Sequence, residues 1–205
     1  MTLFFATGSG SDFVFRVIFI ATFFLNSIVT GCFFFHDGDA TPQIELAVQW
    51  AIDIANDQSH GYSQGADYPP YQGSRDGPDY DCSSLIYYAL DRAGFNVIDN
   101  WKKNPLSLSR YNGNQLVGDA DTLWQDLGEG WHKFSWNEVK DNLKRGDILA
   151  NPHHVAFYIG DGMTVEARGV NNPRGGSYVT GDQGGEIDFY PAFNRYWTEV
   201  YRFGG

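Results

Sequence analysis

The run Asp81-Cys82-Ser83-Ser84 contains the residue best suited to act as a nucleophile. A cysteine reacts as its thiolate, and a position at a helix N-terminus lowers the thiol pKa. Asp81 is a good N-cap and an apolar stripe begins at Leu85, so Cys82 is predicted on the first turn of a helix. Free backbone N–H groups there could bind an oxyanion. The alternative is a buried, inert cysteine, since free cysteines are usually buried.

A cysteine nucleophile needs an imidazole, which usually lies far away in the sequence. Among the five histidines, only His153 and His154 adjoin a predicted strand. Strand alternation puts His154 on the face of Ala156, whose small side chain leaves room beside the ring. We therefore predict His154 as the base, against the commoner case of a histidine without chemistry.

The third candidate depends on a hairpin. If residues 160–162 form a three-residue loop with Gly162 in the left-handed conformation, Ala156 pairs with Glu166. Glu166 then lies on the face of His154, where a carboxylate would hold the imidazole tautomer and stabilise the imidazolium. A two-residue loop would send Glu166 to the opposite face, as a solvated strand residue.

Composition limits the function classes. Hydrophobic residues make up 42% of the 205 and charged residues 19%, so the chain can bury a core and is not disordered. A net charge of −11 argues against nucleic acid as a partner. The two cysteines, Cys32 and Cys82, are too few for a disulfide framework or a cysteine-pair metal site, which leaves a Cys32–Cys82 disulfide as an alternative.

Residues 1–42 differ from the rest. The apolar stretch 13–29 suits an export signal better than a membrane span, which needs about 20 apolar residues. Val29-Thr30-Gly31-Cys32 resembles a bacterial lipoprotein signal, so Cys32 could carry a lipid that anchors the chain to a membrane. The other interpretation is a start site assigned too far upstream. In each case we expect the globular domain to comprise residues 43–205.

The order of predicted elements indicates an α+β fold. Thr41-Pro42 suits the start of a helix that ends near Asn56, and a second helix runs from Asp81-Cys82 to Gly94. Residues 57–80 form a long loop, and 95–145 are irregular with short helices near 122–127 and 136–143. Five strands follow, at 147–150, 154–159, 163–168, 186–190 and 199–203. We predict N-terminal helices packed on an antiparallel β-sheet, without repeats or a second domain.

Seven segments, in order, resemble the NlpC-type cell-wall peptidases of the papain-like superfamily, and more so its phage-encoded peptidoglycan amidohydrolases. They are His60-Gly61-Tyr62, Gly77-Pro78-Asp79-Tyr80-Asp81-Cys82-Ser83-Ser84-Leu85, Lys144-Arg145-Gly146-Asp147-Ile148-Leu149, His154-Val155-Ala156-Phe157-Tyr158-Ile159-Gly160, 162–167, Thr180-Gly181-Asp182-Gln183 and Val200-Tyr201-Arg202-Phe203.

The resemblance implies a papain-like core in which Cys82 is the nucleophile, His154 the base and Glu166 the third residue. The usual third residue of the family is His, Asn or Gln, so Glu166 is a departure. Tyr62, Asp81 and Ser83 would lie at the substrate, with Tyr62 lining the cleft. The substrate is peptidoglycan, and neither a metal nor an organic cofactor is required.

The resemblance leaves the scissile bond open. Phage-like features favour the N-acetylmuramoyl-L-alanine amide, whereas the wider family more often cuts beside D-glutamate. We expect a monomer in the cell envelope or outside the cell, exported or released in phage lysis. An acidic chain gains no attraction to an anionic wall, so binding would depend on a shaped groove. The alternatives are a non-catalytic wall-binding or envelope lipoprotein on the same fold and an amide-bond transferase.

Overall fold

The computed structural model of this chain describes residues 40–65, 74–105, 120–168, 181 and 185–204. The interpretation of the N-terminal segment, including lipidation of Cys32, falls almost wholly outside the described residues and stays a prediction. Within the described residues, no helix is long and apolar enough to cross a membrane.

Two helices begin where the sequence predicts. Helix α1 spans Pro42–Asn56, with the Thr41 hydroxyl accepting the Ile44 N–H at 3.3 Å and proline in the first turn. Helix α2 spans Cys82–Arg92 after the N-cap Asp81. Small buried residues on the two helices, Ala47, Ala51 and Ala89, allow them to pack closely.

In the part of the chain that the structure describes, the sheet has six strands in the order β1-β6-β2-β3-β4-β5, and every neighbouring pair is antiparallel. This confirms the predicted α+β class with an antiparallel sheet. The strands span Trp131–Ser135 (β1), Ile148–Asn151 (β2), His154–Gly160 (β3), Met163–Ala167 (β4), Ile187–Pro191 (β5) and Glu199–Phe203 (β6).

The sheet carries apolar side chains on both faces. On one face Val155, Phe157 and Val165 join the core formed with α1 and α2. On the other face Ala156 and Tyr158 belong to a smaller cluster. That cluster also includes Val139, Leu149, Ala192, Trp197 and Val200. Strand β3 is therefore buried from both sides, which fixes the position of His154 at its first residue.

The entry to β2 touches α1. A Cβ on Gly146 would lie 2.0 Å from Ile44 Cγ2, and the φ of Gly146 is +90°, so only glycine fits here. The residue after Ile44, Glu45, binds Arg145 through both of its carboxylate oxygens, at 2.6 and 2.8 Å. These contacts fasten the Lys144-Arg145-Gly146 segment to the first helix.

The β3–β4 hairpin reaches the predicted register by a different route. The prediction of a three-residue loop is wrong, because Gly160 pairs with Met163 and only residues 161–162 join the strands. Ile159 is an extra residue in β3, since Tyr158 pairs with Thr164. This bulge cancels the shift that a two-residue loop would cause, so Glu166 stays on the face of His154.

The prediction for residues 95–145 was incomplete. It missed helix α3, Val97–Lys103, and strand β1. The short helix α4, Leu123–Asp126, lies where predicted, whereas α5, Trp136–Val139, ends earlier than the predicted residue 143. A 3-10 helix, Ala192–Asn194, follows β5 and precedes Arg195 and Trp197, which both lie at the candidate site.

Candidate active site

The N-terminus of α2 is held by a reciprocal cap. The Asp81 Oδ1 atom accepts the Ser84 N–H at 2.7 Å, and the Ser84 Oγ atom accepts the Asp81 N–H at 2.9 Å. Such a cap satisfies donors of the first turn and fixes where the helix starts. Cys82 is therefore the first helical residue, as the sequence predicts.

A buried arginine that the sequence analysis missed supports this cap. The Arg75 Nη2 atom lies 2.7 Å from Asp81 Oδ2 and donates to Ser83 Oγ at 2.8 Å. Ser83 in turn donates to Asp81 Oδ1 at 2.8 Å. The side chains of Asp81 and Ser83 thus hold the helix start, and their contact with substrate stays a prediction.

The Cys82 side chain is partly buried beside β3. The pKa of the thiol is raised to about 12, mainly by burial and also by the nearby Asp81 carboxylate, although the backbone N–H of Val155, the Arg75 guanidinium and the backbone N–H of Ser83 lower it. The Ser83 N–H at the helix N-terminus lowers the thiol pKa, as predicted, but burial and the Asp81 charge outweigh it in the unliganded protein. Its Cys82 is a neutral thiol at pH 7.

His154 and Glu166 meet across the β3–β4 pair. The Nε2 atom of His154 lies 2.7 Å from Glu166 Oε2, so the predicted contact is present. The ionised Glu166 carboxylate can only accept a hydrogen bond, so the imidazole proton lies on Nε2 and the lone pair on Nδ1. The ring of Trp197 stacks against the imidazole with centroids 5.9 Å apart, and its indole N–H donates to Ala192 O at 2.7 Å.

Two further groups engage the Glu166 carboxylate, which is only 2% exposed. Thr164 Oγ1 donates to Oε1 at 2.7 Å, and Arg195 Nη2 lies 3.2 Å from Oε2. Burial raises the pKa of Glu166, but the hydrogen bond and charge of His154, the Thr164 hydroxyl and the Arg195 charge outweigh it. The net pKa is below the usual value, so Glu166 is ionised.

The pKa of His154 is lowered. Burial is the main cause, and the positive charges of Arg195 and Arg168 add to it, whereas the hydrogen bond and charge of Glu166 act in the opposite direction. In the unliganded protein His154 is therefore a neutral imidazole and Cys82 a neutral thiol, so in the proposed reaction the proton has to move during attack rather than before it.

The sulfur and the imidazole come from adjoining points of the fold. The Val155 N–H that contacts Cys82 follows His154 in β3. Among the described residues no hydrogen bond joins Cys82 to His154. Catalytic hydrogen bonds often tighten only when substrate binds, so the catalytic pair stays a prediction.

Tyr62 lies beside the strand-like segment that leads into α2. It forms an isolated bridge with Tyr80, and its N–H donates to Glu186 Oε2 at 3.0 Å. Its hydroxyl accepts from Gln64 Nε2 at 3.0 Å. Tyr62 is 6% exposed, and its predicted position lining the cleft stays a prediction.

Asp79 ties three distant segments together near Tyr62. Its Oδ1 atom accepts the N–H groups of Gly61 and Gly181, each at 2.9 Å. A Cβ on Gly61 would lie 2.2 Å from Gly181 O, which requires glycine here. In the described parts of the chain, no group of three or more His, Cys, Asp or Glu side chains could hold a metal ion.

Comparisons with known proteins identify one family model and two solved structures to which this chain is similar. A model described as the NlpC/P60 family matches residues 65–202. NlpC1 from Trichomonas vaginalis is 19% identical with a TM-score of 0.42, and the match covers 81% of this chain and 45% of that one. A mutated form of the Resuscitation Promoting Factor Interacting protein RipA is 22% identical with a TM-score of 0.41, over 82% of this chain and 69% of that one. No curated protein matches.

Proposed function

The chain belongs to the NlpC/P60 family, and we propose on that basis that it hydrolyses an amide bond of the peptidoglycan stem peptide. Members of this family are in general cysteine peptidases that act on peptidoglycan. In the proposed reaction Cys82 is the nucleophile, His154 the general base and Glu166 the residue that orients the base. No step requires a metal or an organic cofactor.

The first half of the reaction transfers an acyl group to sulfur. His154 Nδ1 accepts the thiol proton while the Cys82 sulfur attacks the carbonyl carbon, which forms a tetrahedral oxyanion. Backbone N–H groups at the start of α2, with the Tyr62 hydroxyl, stabilise that oxyanion. The imidazolium then gives its proton to the leaving nitrogen as the C–N bond breaks.

The second half regenerates the enzyme. A water molecule loses a proton to His154 and adds to the thioester carbonyl, and the C–S bond breaks as the proton returns to sulfur. The products are a free amine and a carboxylate. Glu166 keeps the proton on Nε2 throughout and stabilises the imidazolium in both halves.

One observation carries the proposal: His154 Nε2 lies 2.7 Å from Glu166 Oε2. This contact occupies one ring nitrogen and leaves the other available for proton transfer. The residue after His154 contacts the Cys82 sulfur through its backbone N–H. A non-catalytic wall-binding protein has no need for an ionised carboxylate that holds a buried, neutral imidazole in one tautomer.

Digestion of purified peptidoglycan with the purified chain, followed by mass spectrometry of the soluble fragments, tests the proposal. An amidase releases stem peptides with a free L-alanine amino group, and an endopeptidase releases fragments cut beside D-glutamate. A transferase joins the acyl group to an added amine instead of to water. Intact sacculi after prolonged incubation with the wild-type chain would contradict the proposed function.

The proposal extends to location. A peptidoglycan hydrolase acts in the cell envelope or outside the cell, and residues 1–42 would supply export, with Cys32 as a lipid attachment site. Intact-mass measurement of the protein purified from bacterial membranes tests the anchor, because a lipidated Cys32 adds the mass of a diacylglyceryl group. Recovery of the protein in the soluble fraction with an unmodified Cys32 would contradict it.

A further inference from the structure

We propose that Arg195 is a positioning residue that offsets part of the Glu166 charge, so that the carboxylate orients His154 and can stabilise the transient imidazolium while the imidazole of the free enzyme stays neutral. The inference deepens the proposed function and rests on it, since it concerns the base of the proposed reaction. Three contacts on one carboxylate carry it, and each comes from a different segment of the chain.

Three groups contact the two oxygens of the Glu166 carboxylate. Oε2 receives both the imidazole Nε2 at 2.7 Å and the Arg195 guanidinium at 3.2 Å, whereas Oε1 receives the Thr164 hydroxyl at 2.7 Å. Arg195 therefore binds the same oxygen that holds the imidazole. A charge placed there acts on His154 through Glu166 and also directly, since the two cations would repel if His154 were protonated.

The side chains around Arg195 keep its guanidinium in place. Its Cζ atom lies 5.8 Å from the centroid of the Trp197 ring, and that ring stacks against His154. Arg195 and Trp197 thus form a continuous layer over the imidazole and its carboxylate. The Arg195 side chain is 30% exposed, so it can be replaced without opening the core.

A carboxylate without this counter-charge would change the base. An unopposed negative charge beside an imidazole favours the imidazolium, and a protonated His154 cannot accept the proton of Cys82. A protonated imidazole would also depend on a preformed thiolate, which the burial of Cys82 disfavours. Arg195 allows Glu166 to fix the tautomer while the ring stays neutral.

The other charged groups near His154 and Glu166 do not replace Arg195. Arg168 packs on the Tyr190 ring, with its Cζ atom 3.2 Å from the centroid, rather than on the carboxylate. Asp188 pairs with Glu166 across the β4–β5 strands and adds negative charge. At the start of α2, the charge of Asp81 is compensated by its ion pair with Arg75, and Cys82 is a neutral thiol. His153, beside His154, is exposed.

The test measures His154 directly and does not depend on catalysis. The imidazole resonances of the full chain are titrated by NMR in the wild type and in Arg195→Gln, Arg195→Lys, Glu166→Gln and the Glu166→Gln/Arg195→Gln double variant. Arg92→Gln is the matched control. Arg92 is an exposed arginine at the far end of α2, about 15 Å along the helix from Cys82.

The expected shifts have opposite signs. Arg195→Gln removes a positive charge and moves the His154 midpoint to higher pH, whereas Glu166→Gln removes a negative charge and moves it to lower pH. The double variant returns toward the wild type, and Arg195→Lys and Arg92→Gln stay close to it. In the wall assay, each pKa unit of this rise lowers kcat/KM of Arg195→Gln by up to about tenfold at a pH below the wild-type midpoint, whereas at pH 8 kcat/KM stays within about twofold of the wild type.

A purely structural role would lower kcat/KM equally at both pH values and leave the midpoint unmoved, and that result would overturn the proposal. So would a shift to lower pH in Arg195→Gln. If that variant does not fold, the wild-type His154 midpoint and its downward shift in Glu166→Gln show whether the surrounding charges favour the neutral or the protonated imidazole. A chain that does not digest peptidoglycan would instead contradict the proposed function, while the titration would still stand.

Discussion

The backbone N–H of Val155 points at the sulfur of Cys82, and Val155 is the residue that follows His154. This contact joins the start of helix α2 to the start of strand β3. It explains why a cysteine and a histidine far apart in the sequence come to one place. The first prediction concerns the Cys82 sulfur, because this atom receives the backbone contact from the sheet.

Replacing Cys82 with alanine should abolish hydrolysis of purified peptidoglycan, because the proposed acyl intermediate forms on its sulfur. We expect a loss of at least about 10³-fold in the rate of dye release from labelled walls. Cys82→Ser is the matched variant, since it keeps the size of the side chain but lacks a reactive thiol. The melting temperatures of both variants should stay near the wild type. Lysis by either variant at more than a few per cent of the wild-type rate would exclude the mechanism.

Replacing Glu166 should slow the reaction according to what remains at Oε2. Glu166→Ala removes the acceptor for Nε2, so the imidazole loses its fixed tautomer, and we expect kcat/KM to fall about 10²-fold or more. Glu166→Gln keeps an acceptor without the charge and should lose less. Steady-state kinetics on soluble stem-peptide substrates measures both. Equal rates for wild type and Glu166→Ala would remove Glu166 from the mechanism.

Alkylation of Cys82 should report a neutral thiol. Because burial raises the pKa to about 12, the rate of modification by iodoacetamide should rise about tenfold per pH unit from pH 7 toward the alkaline limit of folding. Peptide mapping by mass spectrometry separates Cys82 from Cys32. The control is the chain in denaturant, where the rate should level off above about pH 9 because an exposed thiol has a pKa near 8.5. A fast, pH-independent rate between pH 5 and 8 in the folded chain would instead indicate a thiolate–imidazolium pair.

The Arg75–Asp81 pair should matter for stability. Their side chains are 5% and 9% exposed, so Arg75→Ala leaves a buried carboxylate without its counter-charge. We expect a loss of about 3–5 kcal/mol in the free energy of unfolding, measured by urea denaturation. Arg75→Ala/Asp81→Asn should recover part of it. Lys140→Ala is the control, because Lys140 pairs with the exposed Asp141 and should change stability by less than about 1 kcal/mol.

Local patterns made much of this fold predictable. Helices α1 and α2 have a capping residue, a first-turn signature and an apolar stripe within a short window, and both start where predicted. Strands β2 to β6 lie within one or two residues of their predicted ranges. The face of Glu166 was also predicted, although through a wrong loop and without the compensating bulge at Ile159.

The missed elements lack such local patterns. Helix α3 has seven residues and begins at Val97, after the N-cap Asn96, which has a left-handed conformation and makes no side-chain cap. Strand β1 is an edge strand in which only Trp131 is buried. Its sequence therefore lacks the alternation of apolar and polar residues by which a strand is predicted. Arg75, Arg195 and Trp197 were missed for another reason: what they contact is decided by the fold, and no spacing rule joins Arg195 to Glu166.

The position of β6 between β1 and β2 has a consequence for biosynthesis. Neither β1 nor β2 pairs with the other, so the sheet has a gap in its interior until residues 199–203 have left the ribosome. Trp197, which stacks on His154, emerges just before them. Until β6 emerges, the edges of β1 and β2 that it joins should therefore stay unpaired, and the sheet should stay incomplete. Activity against the wall would begin only after synthesis has passed β6.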